Sequence, residues 1–507
     1  MKKLIFLLSF FASIFLSNSI QAQPSPVADT AIPAAYKSVT HRSIKIDNKL
    51  INYTATAGFL ILKNAKDSAV AAFGYTAYTK DGETDASKRP LTFAYNGGPG
   101  SSSMWLHMGA LGPRRVVVND PQNNPPPPYN LEDNNNSIID VTDLVMIDPV
   151  GTGLSHAVGN AKNKDFWGVD RDIESISQFI KQFVTDNGRW NSPKYLLGES
   201  YGTMRSAGIV DYLQDNIGMA MNGVILISNV LDLRSLTFQQ GDDISYILHL
   251  PTYAAVAWYH NKIANKPANL ESFLNDVRNF AGGEYASALM KGDDLSDAEK
   301  DAVLSKLSEY TGLSKDYLLK GNLRINEPQF TQELLRENHE IVGRLDSRYK
   351  GISQDLLGEY SSDDPQSSQI SPAFTATFMN YYYEELKVNK IYNYHTSAYS
   401  AEGFDWDWKH RKNGGSGDPV TPNTGVDLAE AMSKNPNLKI LVLNGYYDLA
   451  TPFYATEYTF DHLRLEKKLK ANITLKYYEA GHMMYINPSV IPQFKKDIAD
   501  FILSTSK

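Results

Sequence analysis

Apolar residues in this chain fall into short runs separated by polar, helix-patterned stretches, a rhythm that predicts an α/β protein. Leu50–Leu62 and Ala69–Tyr78 are rich in Val, Ile, Tyr, Phe and Thr and flank a polar turn, the pattern of two strands. Three compact runs, Leu91–Tyr95, Leu144–Ile147 and Tyr195–Leu197, have the length of buried strands. Between the last two, Ile173, Ile176, Ile180 and Phe183 recur at helical spacing and predict an amphipathic helix over Val169–Thr185. A helical pattern starting near Tyr201 leads to the run Val224–Ile227, and Leu438–Leu443 opens a closing strand–helix–strand pattern. Strands alternating with helices imply a mostly parallel, doubly wound sheet.

One long stretch breaks the rhythm. From about Leu233 to Gly417 the pattern is largely helical, as in Ser296–Leu307, where Ser296 and Glu299 form a capping box. It ends in Asn413-Gly414-Gly415-Ser416-Gly417, a run suited to a hinge. The expected organisation is an α/β core over 37–232 and 418–507 with a helical cap, 233–417, inserted over the strand ends. The aromatic groups Tyr381–Tyr383 and Phe404–Trp408 are expected to pack the cap's own core. Pro125–Pro128 and Asn134–Asn136 mark an exposed loop without chemistry.

The N-terminus changes the picture of where the protein works. Lys2 and Lys3 precede the apolar stretch Leu4–Leu16, with Ala22 as the cleavage point, which describes a secretory signal peptide over 1–22. The run is shorter than the ~20 residues that span a bilayer, so the expectation is an exported protein, periplasmic or extracellular, without membrane insertion after cleavage. Residues 23–36, with Pro24 and Pro26, read as a flexible mature N-terminus. Cysteine is absent from the 507 residues. This excludes thiol nucleophiles and thiolate metal ligands and leaves core burial to hold an exported fold together. A formal charge of -8 argues against a nucleic-acid partner. No paired histidines and carboxylates sit at ligand spacing, so neither metal nor cofactor is expected.

The candidate chemistry lies at strand ends. Gly198-Glu199-Ser200-Tyr201-Gly202 follows a predicted strand and precedes a helical pattern, the context of a nucleophile elbow that lifts Ser200 above the sheet. Asn96-Gly97-Gly98-Pro99-Gly100-Ser101-Ser102 follows Leu91–Tyr95, and a glycine-rich turn there can aim N–H groups at a developing oxyanion. Gly98, with Tyr201 after the nucleophile, is assigned as the oxyanion hole. A phosphate-binding loop is excluded by Pro99 and by the lack of a following lysine-threonine pair. Asp448 lies past Leu438–Leu443, and His482 follows Ile473–Tyr478 in Ala480-Gly481-His482-Met483. The order serine, acid, histidine makes Ser200, Asp448 and His482 the catalytic triad of an α/β-hydrolase fold.

These motifs, with Asp148-Pro149-Val150-Gly151-Thr152-Gly153-Leu154-Ser155, resemble the serine carboxypeptidase family in order from about Leu50 to the C-terminus. The resemblance implies peptide substrates, cleavage at the carboxyl end, and binding of the terminal carboxylate by Asn96 and Glu199. Glu199 can hold a carboxylate well only if one of the two carries a proton. The sequence departs from the family at Ala110, where better-known members carry a second acid; His107 nearby is a substitute source of charge. Ser101 stands where many relatives have a cysteine. Three other readings remain open: a proline-releasing aminopeptidase, an esterase or acyltransferase of the same fold, and a non-catalytic hydrolase-like binding protein.

Overall fold

The computed structural model describes residues 32–121, 124–361, 363–410 and 421–506. The signal peptide, most of the expected flexible N-terminus and the Asn413–Gly417 hinge lie outside them. The central sheet contains β1 (Tyr36–Ile46), β2 (Lys49–Lys63), β3 (Ala69–Lys80), β4 (Leu91–Tyr95), β5 (Asp143–Ile147), β6 (Lys194–Glu199), β7 (Gly223–Ile227), β8 (Lys439–Gly445) and β9 (Ile473–Tyr478). Their spatial order is β1-β2-β3-β5-β4-β6-β7-β8-β9, and a two-residue strand, His156–Ala157, also pairs with β3. The first three strands form an antiparallel meander that meets β5 antiparallel; from β5 onward every pairing is parallel. This is the α/β-hydrolase architecture with a helical cap.

The buried strands match the apolar runs within one or two residues because β4, β5, β6 and β7 are covered on both faces and tolerate few polar side chains. The expected amphipathic helix is α1 (Val169–Asp186), which with α2 (Tyr201–Tyr212) and α7 (Gly425–Lys434) covers one face of the sheet. The C-terminal helix α8 (Ile491–Thr505) buries Phe494, Ile498 and Ile502 in the core of the other face. β1 is the strand that the apolar pattern does not signal. Its outward-facing positions carry Lys37, His41, Ser43 and Lys45 beside Val39, a mostly polar edge that discourages pairing with another chain.

Between β7 and β8 lie the helices α3 (Ile244–Tyr259), α4 (Leu270–Phe280), α5 (Asp297–Thr311) and α6 (Pro365–Asn380). Ser296 caps α5 reciprocally with Glu299, as the sequence predicts. α3, α4 and α5 share a core of their own, including Leu250, Leu274, Val277, Leu304, Leu307 and Phe330, which extends to Tyr447 and Leu449 on either side of Asp448, whereas α6 packs Ile370, Phe374 and Phe378 into the core of the sheet. Cap packing therefore holds the Asp448 loop. The aromatic groups do not fill the cap's own core as expected: Tyr381 and Tyr382 join the sheet core shared with the C-terminal helix, Trp406 joins the core on the opposite face, and Trp408 lines the cleft described below. Asn134, expected to be inert and exposed, is buried and donates to the carbonyls of Ala110 and Gly112 at 2.7 and 2.8 Å. Among the described residues no helix is long and apolar enough to cross a membrane.

Candidate active site

β6 ends at Glu199 and α2 begins at Tyr201, so Ser200 takes the whole strand-to-helix turn alone. Its backbone sits at φ 59° and ψ -129°, a conformation that costs a non-glycine residue free energy of order 1–3 kcal/mol. Neighbouring strands secure it: the Ser200 N–H donates to the Ile227 carbonyl at 2.9 Å. Gly198 permits the turn, since a Cβ there would lie 2.1 Å from the Gly202 carbonyl oxygen. Tyr201 opens the helix, and its N–H has no intrahelical acceptor.

His482 and Asp448 arrive from the ends of β9 and β8. The His482 Nδ1 is 2.8 Å from Asp448 Oδ2, and both residues are buried. Asp448 is saturated with donors: Oδ1 accepts from the N–H groups of Ala450 and Thr451 at 2.9 Å each, and Oδ2 also accepts from the Thr451 hydroxyl at 2.6 Å. Thr451, three residues after the aspartate, is a positioning residue that only the Asp-x-x-Thr spacing hints at. Burial pulls the His482 imidazole down, but the charge and hydrogen bond of Asp448, with Glu199, raise it overall. Ser200 and His482 line one cleft of about 730 Å³, together with Asn96, Gly98, Glu199 and Tyr201.

The floor beside the serine is a polar clamp. Asn96 donates from Nδ2 to Glu199 Oε1 at 2.9 Å and accepts from the Leu106 N–H at 3.0 Å. Beneath them Arg205, fully buried, donates to Asp172 and to the Asn96 carbonyl, each at 2.6 Å. Gly97 has to be glycine, because a Cβ would stand 2.5 Å from the Tyr201 nitrogen. The Asp148–Ser155 loop braces the glycine turn from behind: Asp148 Oδ1 accepts from the Ser103 N–H at 2.8 Å and the Tyr394 hydroxyl at 3.0 Å.

Glu199 is buried, and burial is the main reason its carboxyl is pushed up to about 7, against the pull of His482, Tyr485 and Asn96. Tyr485, absent from the sequence reading, is fully buried beside it. Among the described residues neither Glu199 Oε2 nor the Tyr485 hydroxyl makes a well-formed hydrogen bond, although each feels the other electrostatically. Ala110 contributes only its carbonyl, to Asn134. His107 does not replace the missing acid with a charge. It is buried against the Tyr78 hydroxyl, and burial lowers its imidazole to about 3.

A family model described as serine carboxypeptidase matches residues 46–487. The chain belongs to the serine carboxypeptidase family. Among solved structures, this carboxypeptidase is similar to Kex1(Δ)p, a prohormone-processing carboxypeptidase from Saccharomyces cerevisiae, at 18% identity and a TM-score of 0.51, covering 88% of this chain and 91% of that one. A proline iminopeptidase from Mycobacterium smegmatis matches at 13% identity and a TM-score of 0.34, covering 92% of this chain and 99% of that one. No curated protein sequence matches it.

The far wall of the carboxypeptidase's cleft comes from the cap: Leu233, Leu236, Arg344, Leu345, Tyr399 and Trp408. Trp406 packs edge-on against Tyr201, ring centroids 5.3 Å apart, and His410 bridges Asp170 and Asp427 at 2.7 and 2.8 Å. Away from the cleft, Asp211, Asp215 and Glu430 gather within 4.8 Å, and the Lys434 ammonium pairs with two of them, 2.5 Å from both Asp215 and Glu430.

Proposed function

We propose that this protein removes amino acids from the carboxyl end of peptides through an acyl-enzyme on Ser200. The Ser200 Oγ attacks the last peptide carbonyl, His482 takes the hydroxyl proton, and Asp448 holds the imidazole with Nε2 facing the serine. The N–H groups of Gly98 and Tyr201 stabilise the oxyanion, each contributing roughly 3 kcal/mol. His482 returns the proton to the departing amine, and water then releases the acyl group by the same route. The second Nδ2 hydrogen of Asn96 and a protonated Glu199 bind the substrate's terminal carboxylate.

The observation that carries this reading is the Asn96–Glu199 clamp in the same cleft as Ser200 and His482. A buried carboxyl held up to about 7 keeps its proton in mildly acidic solution, and a protonated carboxyl can donate to a carboxylate where an ionised one repels it. A plain esterase has no use for such a group beside its nucleophile. The test is product analysis on three substrates: an amino-blocked peptide, its free-amine counterpart and an acyl ester. Stepwise loss from the carboxyl end, abolished in Ser200→Ala, is expected. Release from a free amino end overturns the reading in favour of a proline-releasing aminopeptidase, and turnover of esters alone favours the esterase.

A further inference from the structure

The cleft contains a charge that the reaction does not use. Among its described lining residues Arg344 is the one lysine or arginine, and the cap wall beside it is largely apolar: Leu233, Leu236, Leu345, Ile370 and Trp408. The Arg344 side chain keeps 52% of its surface exposed. Its backbone, by contrast, is immobilised between both loops of the proposed triad. The Arg344 carbonyl accepts from the Leu449 N–H at 3.0 Å, next to Asp448, and the Leu345 carbonyl accepts from the His482 N–H at 2.7 Å. The N–H groups of Arg344 and Leu345 both donate to Asp364 Oδ2, at 2.7 and 3.0 Å, and Asp364 caps α6. The guanidinium is thus carried on rigid backbone into the reaction cleft.

The ion pair of Arg344 leaves its guanidinium room for a second carboxylate. Among the described residues its ion pair is with Glu327, 3.4 Å from Nε, beyond good hydrogen-bonding distance. The Glu327 side chain is 13% exposed, and desolvation pushes its carboxyl up to about 7 against the pull of Arg344. The guanidinium is also near enough to His482 to oppose protonation of the imidazole. A planar five-donor cation on a fixed backbone beside apolar surface recognises a carboxylate.

We propose that Arg344 is a substrate-binding residue that recruits a carboxylate of the peptide to the His482 side of the cleft. That carboxylate is either the terminal one, shared with Asn96 and Glu199, or the side chain of an acidic residue next to the scissile bond. The inference rests on reading the cleft as a peptide site, so its test is one of binding rather than turnover. Full-chain protein carrying Ser200→Ala is titrated calorimetrically with three amino-blocked dipeptides. These are phenylalanyl-glutamine acid, phenylalanyl-glutamate with only its α-carboxyl amidated, and phenylalanyl-glutamine amide, which has no carboxylate.

At least one acidic ligand should bind roughly 10- to 100-fold more tightly than the amide, as expected for charge-assisted hydrogen bonds. Adding Arg344→Gln should erase the advantage of a side-chain carboxylate, or cut that of the terminal one, which Asn96 and Glu199 also hold, about tenfold; Arg344→Lys should retain part of it. Loss confined to the first ligand assigns the terminal carboxylate; loss confined to the second assigns an acidic side chain. Both advantages persisting undiminished in Arg344→Gln, or neither existing with Arg344 intact, overturns the proposal. Should the glutamine variant not fold, Arg344→Lys with unchanged ratios in high salt overturns it equally, because a direct ion pair is screened. Failure of the carboxypeptidase reading appears separately, in the products formed by the enzyme with Ser200 intact.

Discussion

The two sides of the cleft are built in different ways. The floor, with Asn96, Gly97, Gly98 and the turn at Ser200, is fixed by short loops on adjacent strands β4 and β6, and backbone geometry does most of the positioning. The cap wall, with Arg344, Tyr399 and Trp408, is assembled from segments far apart in the chain and held by side chains and isolated hydrogen bonds. In the proposed mechanism the floor presents donors at atoms where charge develops, which demands rigidity of tenths of an ångström. The wall presents shape and charge to whatever flanks the bond, and its exposed side chains can vary while its backbone keeps bracing the Asp448 and His482 loops. Chemistry and selectivity are therefore separable on this fold, and the separation can be tested.

The largest effect belongs to the floor. Ser200→Ala is expected to lower kcat by about 10⁶-fold, for peptides and esters alike, measured under single-turnover conditions with active-site titration. If ester hydrolysis survives in that variant, the nucleophile has been misassigned. Next comes Arg205, the fully buried cation beneath Asn96, paired with Asp172 at 2.6 Å. Arg205→Met leaves Asp172 buried and unpaired and should cost about 3–5 kcal/mol in denaturant unfolding. Arg205→Met combined with Asp172→Leu should recover much of the loss in stability but not the Asn96 carbonyl contact. Peptide KM should then stay raised in the double variant while stability returns.

Glu199 separates carboxylate binding from chemistry. With its carboxyl held up to about 7, binding of a terminal carboxylate should be strongest below that pH and weaken as the proton leaves. KM for an amino-blocked dipeptide is expected to rise about tenfold per pH unit above 7, for one essential proton. The matching dipeptide amide, lacking the carboxylate, should show little of this slope. Glu199→Gln should flatten the profile, because the amide donates at every pH. Parallel slopes for acid and amide would remove Glu199 from carboxylate binding.

The same division explains what the sequence could reveal. The floor was legible because its constraints are local: Gly97, Gly98, Gly198 and Ser200 occupy one short strand-and-turn pattern each, and a close approach such as Gly97 to the Tyr201 nitrogen permits one residue type. The order of Asp448 and His482 followed from strand succession. Thr451 left a trace only in its spacing from Asp448. Arg344, Tyr485 and the Arg205–Asp172 pair left none, because each acquires meaning from a neighbour 33 or more positions away in the chain. β1 escaped for another reason: as an edge strand it needs little apolar surface, so its alternation carries a weak signal. His107 misled because a histidine's charge depends on burial, and here burial removes it.

The smallest predicted effect lies in the wall and bears on how firmly it is closed. His410, two residues from Trp408, sits between Asp170 and Asp427, with its side chain 8% exposed. Burial alone would lower its imidazole, but the two carboxylates outweigh burial and raise it to about 9 from an ordinary 6.5. The folded state thus binds the proton more tightly than the unfolded chain. The stabilisation is complete below about pH 6.5, declines as the unfolded chain's histidine loses its proton, and is gone once pH has risen through about 9. After allowance for solvent screening it amounts to about 2 kcal/mol. Desolvated carboxyls such as Glu199 and Glu327 titrate in part of the same window and also lose stability as pH rises, so the absolute melting curve is not diagnostic. The difference between the parent and His410→Gln is: melting temperatures should lie furthest apart near pH 6.5 and converge by pH 9.5. A constant gap across that range would mean that His410 fills space rather than pins the wall by charge, and that the Trp406–Trp408 segment is held by its ring contact with Tyr201.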